Sequence, residues 1–154
     1  MVKLVVQRAK RGSVTVDGKV TGEIGQGIVV LVGIHRDDKD EDLDWAVNRM
    51  LTFCLWPAED GKPWRSCVKD INGGVLLVSQ FTLYGRPNGR KPDFSHSMGP
   101  EGAEVMYNKF VEKVKAAYAP EKVQCGIFGA LMAVDLVNDG PVTFVLDSRN
   151  RKGE

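Results

Sequence analysis

Ser79 and Thr82 lie three positions apart in "VSQFTLYG", separated by Gln80 and Phe81. Their hydroxyls are the natural candidates for acyl-transfer chemistry, but a serine or threonine attacks an ester only when a base takes its proton. The chain offers two histidines, His35 and His96. Neither is close in sequence to Ser79 or Thr82, so His96 of "FSHSM" reaches them only by folding. The G-x-S-x-G elbow that lifts a nucleophilic serine above a sheet is absent, as are the Walker and dinucleotide glycine patterns. Cys54, Cys67 and Cys125 are widely spaced and form no C-x-x-C pair, which argues against zinc and against a disulfide framework. No metal and no cofactor are therefore expected. A second stretch stands out by its shape. In "VNDGPVTFVLDS", residues 137–148, Asn138, Asp139, Gly140 and Pro141 separate two β-branched apolar runs. All four are turn residues, so the stretch reads either as a plain hairpin turn or as a turn that is itself a working part.

The elements that must hold these groups follow from periodicity. "VKLVVQRA" is β-rich, and "SVTVDGKVTGEI" sets Asp17-Gly18 between two alternating runs, a strong hairpin signal. "IVVLVGI" (28–34) is a continuous apolar run suited to a strand buried on both faces. "DDKDEDLDWAVNRMLTFCLW" reads as a helix, because Leu43, Val47, Met50, Leu51 and Cys54 recur at three- and four-residue steps, which makes Cys54 a core residue. Its acidic cluster, Asp37 to Asp42, falls where the helix dipole favours negative charge, and needs no metal to explain it. A short strand is expected over 66–71, and "VLLVSQFTLYG" (75–85) reads as another, carrying Ser79 and Thr82 together. The basic, proline-containing loop that follows is long enough to be functional or mobile. Pro100 opens a second helix with an apolar stripe of Ala103, Met106, Tyr107, Phe110, Val111, Val114 and Tyr118, and Pro120 ends it. "KVQCGIF", "LMAVDLV" and "VTFVL" read as strands. Helices and strands do not alternate regularly, which excludes a doubly wound fold. The class is α+β: mostly antiparallel sheets closing toward a barrel, with two amphipathic helices packed on the outside.

With 154 residues, the chain reads as one domain over 1–148 and a short basic C-terminal tail over 149–154. Such a domain buries about 70% of the surface its unfolded chain exposes. The 43% hydrophobic and 27% charged fractions are those of an ordinary soluble protein. No apolar run approaches the ~20 residues of a membrane span, and the start is too short and interrupted for a signal peptide, so a cytoplasmic location is expected. A protein that grips many phosphates carries a strongly basic face. At a net charge of +1, a nucleic-acid partner would be met through a small footprint or a local patch such as "GRPNGRK" (85–91) or "SRNRK" (148–152). Taken alone, each of those reads as a solvated loop or tail.

"SQFTLYG" at 79–85, followed by "NDGPVT" at 138–143, resembles the signature pair of the D-aminoacyl-tRNA deacylases, also called D-tyrosyl-tRNA deacylases. "VQRA", "SVTVDG", "GRKPDF" and "GIFGALMAVDLVNDGPVTF" extend the likeness along nearly the whole chain, less securely beyond Asp147. The resemblance implies an enzyme that hydrolyses the ester of D-aminoacyl-tRNA to free D-amino acid and tRNA. Its partners would be the aminoacylated 3′ end of tRNA and a second copy of itself, with the active site at the subunit interface and no membrane involved.

In that family the Gly-Pro bond is cis and the turn enters the site of the other subunit. Gly140 and Pro141 would then form a wall that an L side chain strikes and a D side chain avoids, leaving glycyl-tRNA, with no side chain, accepted. By the same resemblance Arg8 braces the turn. Ser79, Gln80, Phe81 and Thr82 surround the ester, backbone N–H groups near Phe81 and Thr82 serving as oxyanion donors and Gln80 lying near the ribose. Phe128 packs the terminal adenine, with Gly129, Ala130 and Met132 lining the same pocket. Since no base is evident for Thr82, water attack helped by the tRNA 2′-hydroxyl is preferred to a threonine nucleophile. Three rivals stand beside this reading. One is a related branch with a trans Gly-Pro bond that removes L-alanine from the wrong tRNA and departs from "SQFT". The others are an esterase using Thr82 or Ser79, and a non-enzymatic RNA- or DNA-binding module, which the weak charge disfavours.

Overall fold

The computed structural model describes residues 2–153. A long first strand, β1 (Val2–Val16), turns through Asp17 and Gly18 into β2 (Lys19–Ile24), and β3 (Gly27–Ile34) follows. Asp17 and Gly18 both take positive φ, 50° and 78°, the mirror-image turn whose twist suits a hairpin. The register of β1 on β2, Gly12↔Ile24, runs unshifted into that of β1 on β3, Ala9↔Gly27, so β2 and β3 act as one interrupted strand along β1. Helix α1 (Asp40–Thr52) then leads to β4 (Gly74–Ser79), which pairs parallel with β3. After a 3-10 turn at Phe81–Tyr84 come the two short strands β5 (Arg86–Asn88) and β6 (Lys91–Asp93), helix α2 (Pro100–Ala117) and β7 (Val123–Cys125), parallel to β4. The last strand, β8 (Ala133–Asp147), lies antiparallel on the remaining edge of β1. With β2 touching both β4 and β7, the mixed, mostly antiparallel sheet nearly closes into a barrel.

Side chains alternate across a strand, and this sheet is apolar on both faces. Ile28, Val30 and Val32 of β3 face the helices with Leu4, Val6, Val75 and Leu77, packing on Leu43, Val47 and Met50 of α1 and Met106, Phe110 and Val114 of α2. Val29, Leu76 and Val78 fill the barrel with Ala9, Val14 and Ile24. The continuous apolar run of 28–34 is thereby explained. Every member of the α2 stripe from Ala103 to Val114 is buried, with Pro100 in the first turn.

Several local expectations are corrected. Helix α1 stops at Thr52, because Phe53 is extended (φ −69°, ψ 122°); Cys54 is only half-buried, its sulfur 3.6 Å from the Thr52 carbonyl oxygen. No strand forms over 66–71. Ser66 makes an isolated bridge to Trp56, then Asp70 accepts the Cys67 N–H at 2.8 Å and turns the chain back, an Asp side chain outcompeting the sheet for the backbone. The loop after residue 85 holds the β5–β6 hairpin, tied by Arg86 Nε to Asp93 Oδ2 at 2.8 Å. The C-terminal tail is not merely solvated: Arg151 Nε bonds the Ser148 carbonyl at 3.0 Å, and its guanidinium lies over Trp45. The stretch at 138–141 joins no hairpin, since β8 runs through it as one strand. Among the described residues no helix is long and apolar enough to cross a membrane.

Candidate active site

The strand expected over 75–85 ends at Ser79. Gln80 gives its N–H to Val32 at 2.8 Å, and the chain then coils into the 3-10 turn. Gly33 of β3 makes room for that turn: a Cβ there would stand 2.8 Å from Leu83 Cβ and 3.3 Å from the Gln80 carbonyl. Tyr84 anchors the far end. It is buried, edge-on to His35 with ring centres 5.2 Å apart, and Lys3 Nζ lies 4.8 Å over its ring. Ser97 Oγ donates to the Phe81 carbonyl at 2.8 Å, and Gln80 Nε2 donates to Thr82 Oγ1 at 2.8 Å. Phe81 and Thr82 open the turn, so their N–H groups have no carbonyl behind them in the turn to bond.

This turn borders a cavity of about 620 Å³, within the range of small-molecule sites. Ser79, Gln80, Phe81 and Thr82 line one side, and Phe128, Gly129, Ala130 and Met132 line another. Two stretches named separately from sequence are therefore brought together. Phe128 is half-buried, packs 5.9 Å from the Tyr107 ring and also lines the cavity. Burial drives the Tyr107 phenol well above its ordinary pKa, so it stays neutral, donating to the Leu77 carbonyl at 3.0 Å. Sequence reasoning missed Phe94, Ser97 and Met98, which also line the cavity. They sit in the loop read as functional or mobile, where the signal was an aromatic and a hydroxyl residue just ahead of α2.

No described histidine lines the cavity. His96 instead stacks near His35, ring centres 5.8 Å apart. His35 is buried, accepts the Asp37 N–H on Nδ1 at 3.1 Å, and is held neutral by burial first and the Arg149 charge second. Ser79 and Thr82 have no imidazole at hand. Among the described residues no three His, Cys, Asp or Glu side chains gather where they could hold a metal.

Gly140 and Pro141 lie elsewhere. Along β8, Asp139 to Val142 stand opposite the single residue Arg8, between the pairs Ala9↔Asn138 and Gln7↔Thr143. The segment is a bulge, with both Gly140 and Pro141 exposed and the bond between them cis. Arg8 Nε donates to the Asp139 carbonyl at 2.9 Å, and its Nη1 donates to Leu55. Asn138 straps the bulge from the other side: its Oδ1 accepts the Val142 N–H at 2.7 Å and its Nδ2 donates to Thr143 Oγ1 at 3.0 Å. At φ +136°, a side chain on Gly140 is disfavoured, and its Cβ would meet Val142 Cγ2 at 2.8 Å and Arg8 Nη2 at 3.1 Å. Neither Gly140 nor Pro141 lines the cavity of its own chain. Among the described residues β8 pairs only with β1; it carries the exposed apolar residues Val134, Phe144 and Val145, and Leu131 just before it is 95% exposed.

Comparison with known proteins matches residues 5–147 to the family described as D-Tyr-tRNA(Tyr) deacylase. The sequence is 44% identical over 151 residues to the D-aminoacyl-tRNA deacylase of Dictyostelium discoideum, covering 97% of this chain and 100% of that one. It is 46% identical over 151 residues to D-aminoacyl-tRNA deacylase 1 of Leishmania major, covering 97% and 99%. Among solved structures it resembles the c-Myc DNA Unwinding Element Binding Protein, at 45% identity and a TM-score of 0.91, covering 94% of this chain and 97% of that one.

Proposed function

We propose, from the premise that this chain belongs to the D-Tyr-tRNA(Tyr) deacylase family, that it is a D-aminoacyl-tRNA deacylase whose site is completed by a second copy of itself. The observation that carries the reading is the division of labour between two places. The 79–82 turn and the 128–132 stretch line one cavity, whereas the Gly140–Pro141 bulge stands exposed outside that cavity, braced as if to be presented. A bulge so firmly held from both flanks suits insertion into the cavity of a partner.

In this reading the terminal adenine of the tRNA lies against Phe128, with Gly129, Ala130 and Met132 around it, and the ester carbonyl faces the 79–82 turn. Water, deprotonated with help from the 2′-hydroxyl of the terminal adenosine, adds to the carbonyl carbon. The Phe81 and Thr82 N–H groups stabilise the oxyanion, the term that usually dominates acyl transfer. Collapse breaks the bond to the ribose oxygen, which takes a proton, and D-amino acid and tRNA leave. Thr82 does not attack, for its Oγ1 accepts a hydrogen bond from Gln80 Nε2, and an amide donor lowers rather than raises its nucleophilicity. Gln80 and Ser79 orient the ribose end.

Gly140 and Pro141 of the partner reject the L side chain by shape, which separates mirror images that affinity alone separates poorly. Glycyl-tRNA passes because nothing strikes the wall. Arg90 and Lys91, exposed at the tip of the β5–β6 hairpin, meet acceptor-stem phosphates, a footprint in keeping with the net charge of +1. We assign its work to the cytoplasm, where tRNA is charged. The test is a paired assay of D-Tyr-tRNA and L-Tyr-tRNA. Intact protein should release D-Tyr alone, and Gly140→Ala should lose that activity or blur the selectivity; equal release of both by intact protein refutes the proposal.

A further inference from the structure

Trp64 is unexplained by any of this. It sits at φ +59°, a left-handed conformation that is a genuine outlier for a bulky side chain, and it is 49% exposed. Such outliers persist only where the surroundings over-determine them. Here the 56–66 segment is closed by the Trp56↔Ser66 bridge and by Ala58 N–H to Lys62 O at 2.9 Å. The strained residue is thereby aimed at two others. Its ring centre lies 6.0 Å from the Arg8 guanidinium carbon, and it stands edge-on to Phe144 at 6.1 Å, which in turn packs on Phe53 at 5.0 Å. Arg8, only 16% exposed, is the cation that holds the Asp139 carbonyl at 2.9 Å.

We infer that Trp64 is a positioning residue for chiral selection, acting through Arg8. This rests on the wall reading above. The indole covers the guanidinium within cation–π range, excludes water from the Arg8–Asp139 bond, and so strengthens it. That bond sets the height of the Gly140–Pro141 bulge. A bulge that relaxes by a fraction of an ångström admits L side chains while the 79–82 turn, on other elements, is undisturbed. Loss of Trp64 therefore degrades selectivity more than rate.

Trp64→Gly is the informative variant, since glycine occupies positive φ without strain and the backbone benefits while the ring is lost. Assayed with D-Tyr-tRNA and L-Tyr-tRNA, it should lower the ratio of D to L release about tenfold, with KM for D-Tyr-tRNA unchanged. Trp64→Tyr should keep most of the ratio, and Trp64→Gly added to Arg8→Ala should lower it no further. An unchanged ratio in Trp64→Gly, a tyrosine as poor as glycine, an additive effect with Arg8→Ala, or a raised KM alone overturns the inference while intact protein remains D-selective. If intact protein does not separate D from L at all, the wall reading itself falls and takes this inference with it.

Discussion

At the scale of single residues, the cavity is lined by hydroxyls and amides with no described histidine beside them. Thr82 is the sharpest case, because its hydroxyl is engaged by Gln80 Nε2 at 2.8 Å and no described histidine lines the cavity. Thr82→Ala should therefore cost only the worth of one hydrogen bond, about 1 kcal/mol, or roughly fivefold in the single-turnover rate at saturating protein. A fall of a million-fold would instead reveal a nucleophile. Ser97 holds the Phe81 carbonyl at 2.8 Å and was invisible as a site residue in sequence. Ser97→Ala should slow D-Tyr release by about tenfold without changing thermal stability by more than about 1 kcal/mol, measured by paired kinetics and melting.

At the scale of elements, the 3-10 turn at Phe81–Tyr84 is the decisive piece, and its seat is a glycine. Gly33→Ala forces its Cβ against Leu83 Cβ at 2.8 Å. The turn must lift, at a cost of about 1–3 kcal/mol in stability, and activity should fall about 100-fold, as misplacement near 1 Å does; a normal rate in the variant would show that the turn tolerates displacement. The other end of the turn is coupled to pH. His35 packs on Tyr84, and Arg149, Arg36, Asp37, Asp38 and His96 surround it. Burial, then the Arg149 charge, lowers its pKa from the ordinary histidine value of 6.5. As pH falls through that value the unfolded chain binds a proton that the folded chain refuses, so stability drops on acidification and returns as pH rises. Melting should occur at lower temperature at about pH 5.5 than at about pH 7.5, and His35→Gln, which can still accept the Asp37 N–H, should flatten the difference.

At the scale of the whole molecule, one chain leaves its last strand unfinished. The free edge of β8, with Val134, Phe144 and Val145 exposed beside Leu131, is the kind of apolar edge that soluble proteins cover. We expect a second copy to cover it. Val145→Lys, at a residue 62% exposed in the single chain, should leave the fold intact by circular dichroism. It should shift the protein to monomer in sedimentation and abolish D-Tyr release, because neither copy then receives the bulge of the other. A fully active monomer would show that one chain suffices.

Periodicity alone determined both helices, the Asp17–Gly18 hairpin and the doubly buried run at 28–34, because these depend on side chains a few residues apart. The turn residues at 138–141 were also legible, since their types break the surrounding pattern, whereas 79–82 and 128–132 were singled out only by their likeness to a family. What only the tertiary structure decided was how those pieces meet. The chain leaves α1 at Thr52 through an extended Phe53, and contacts across the sheet bent the 75–85 run at Gln80 onto Gly33 and made 138–141 a bulge gripped by Arg8 rather than a hairpin. Ser97 meets Phe81 and Trp64 meets Arg8, partners 16 and 56 residues away along the chain. Local sequence carries no record of a neighbour that only folding supplies, because the energy of such contacts resides in pairs of residues that the chain's linear order keeps apart.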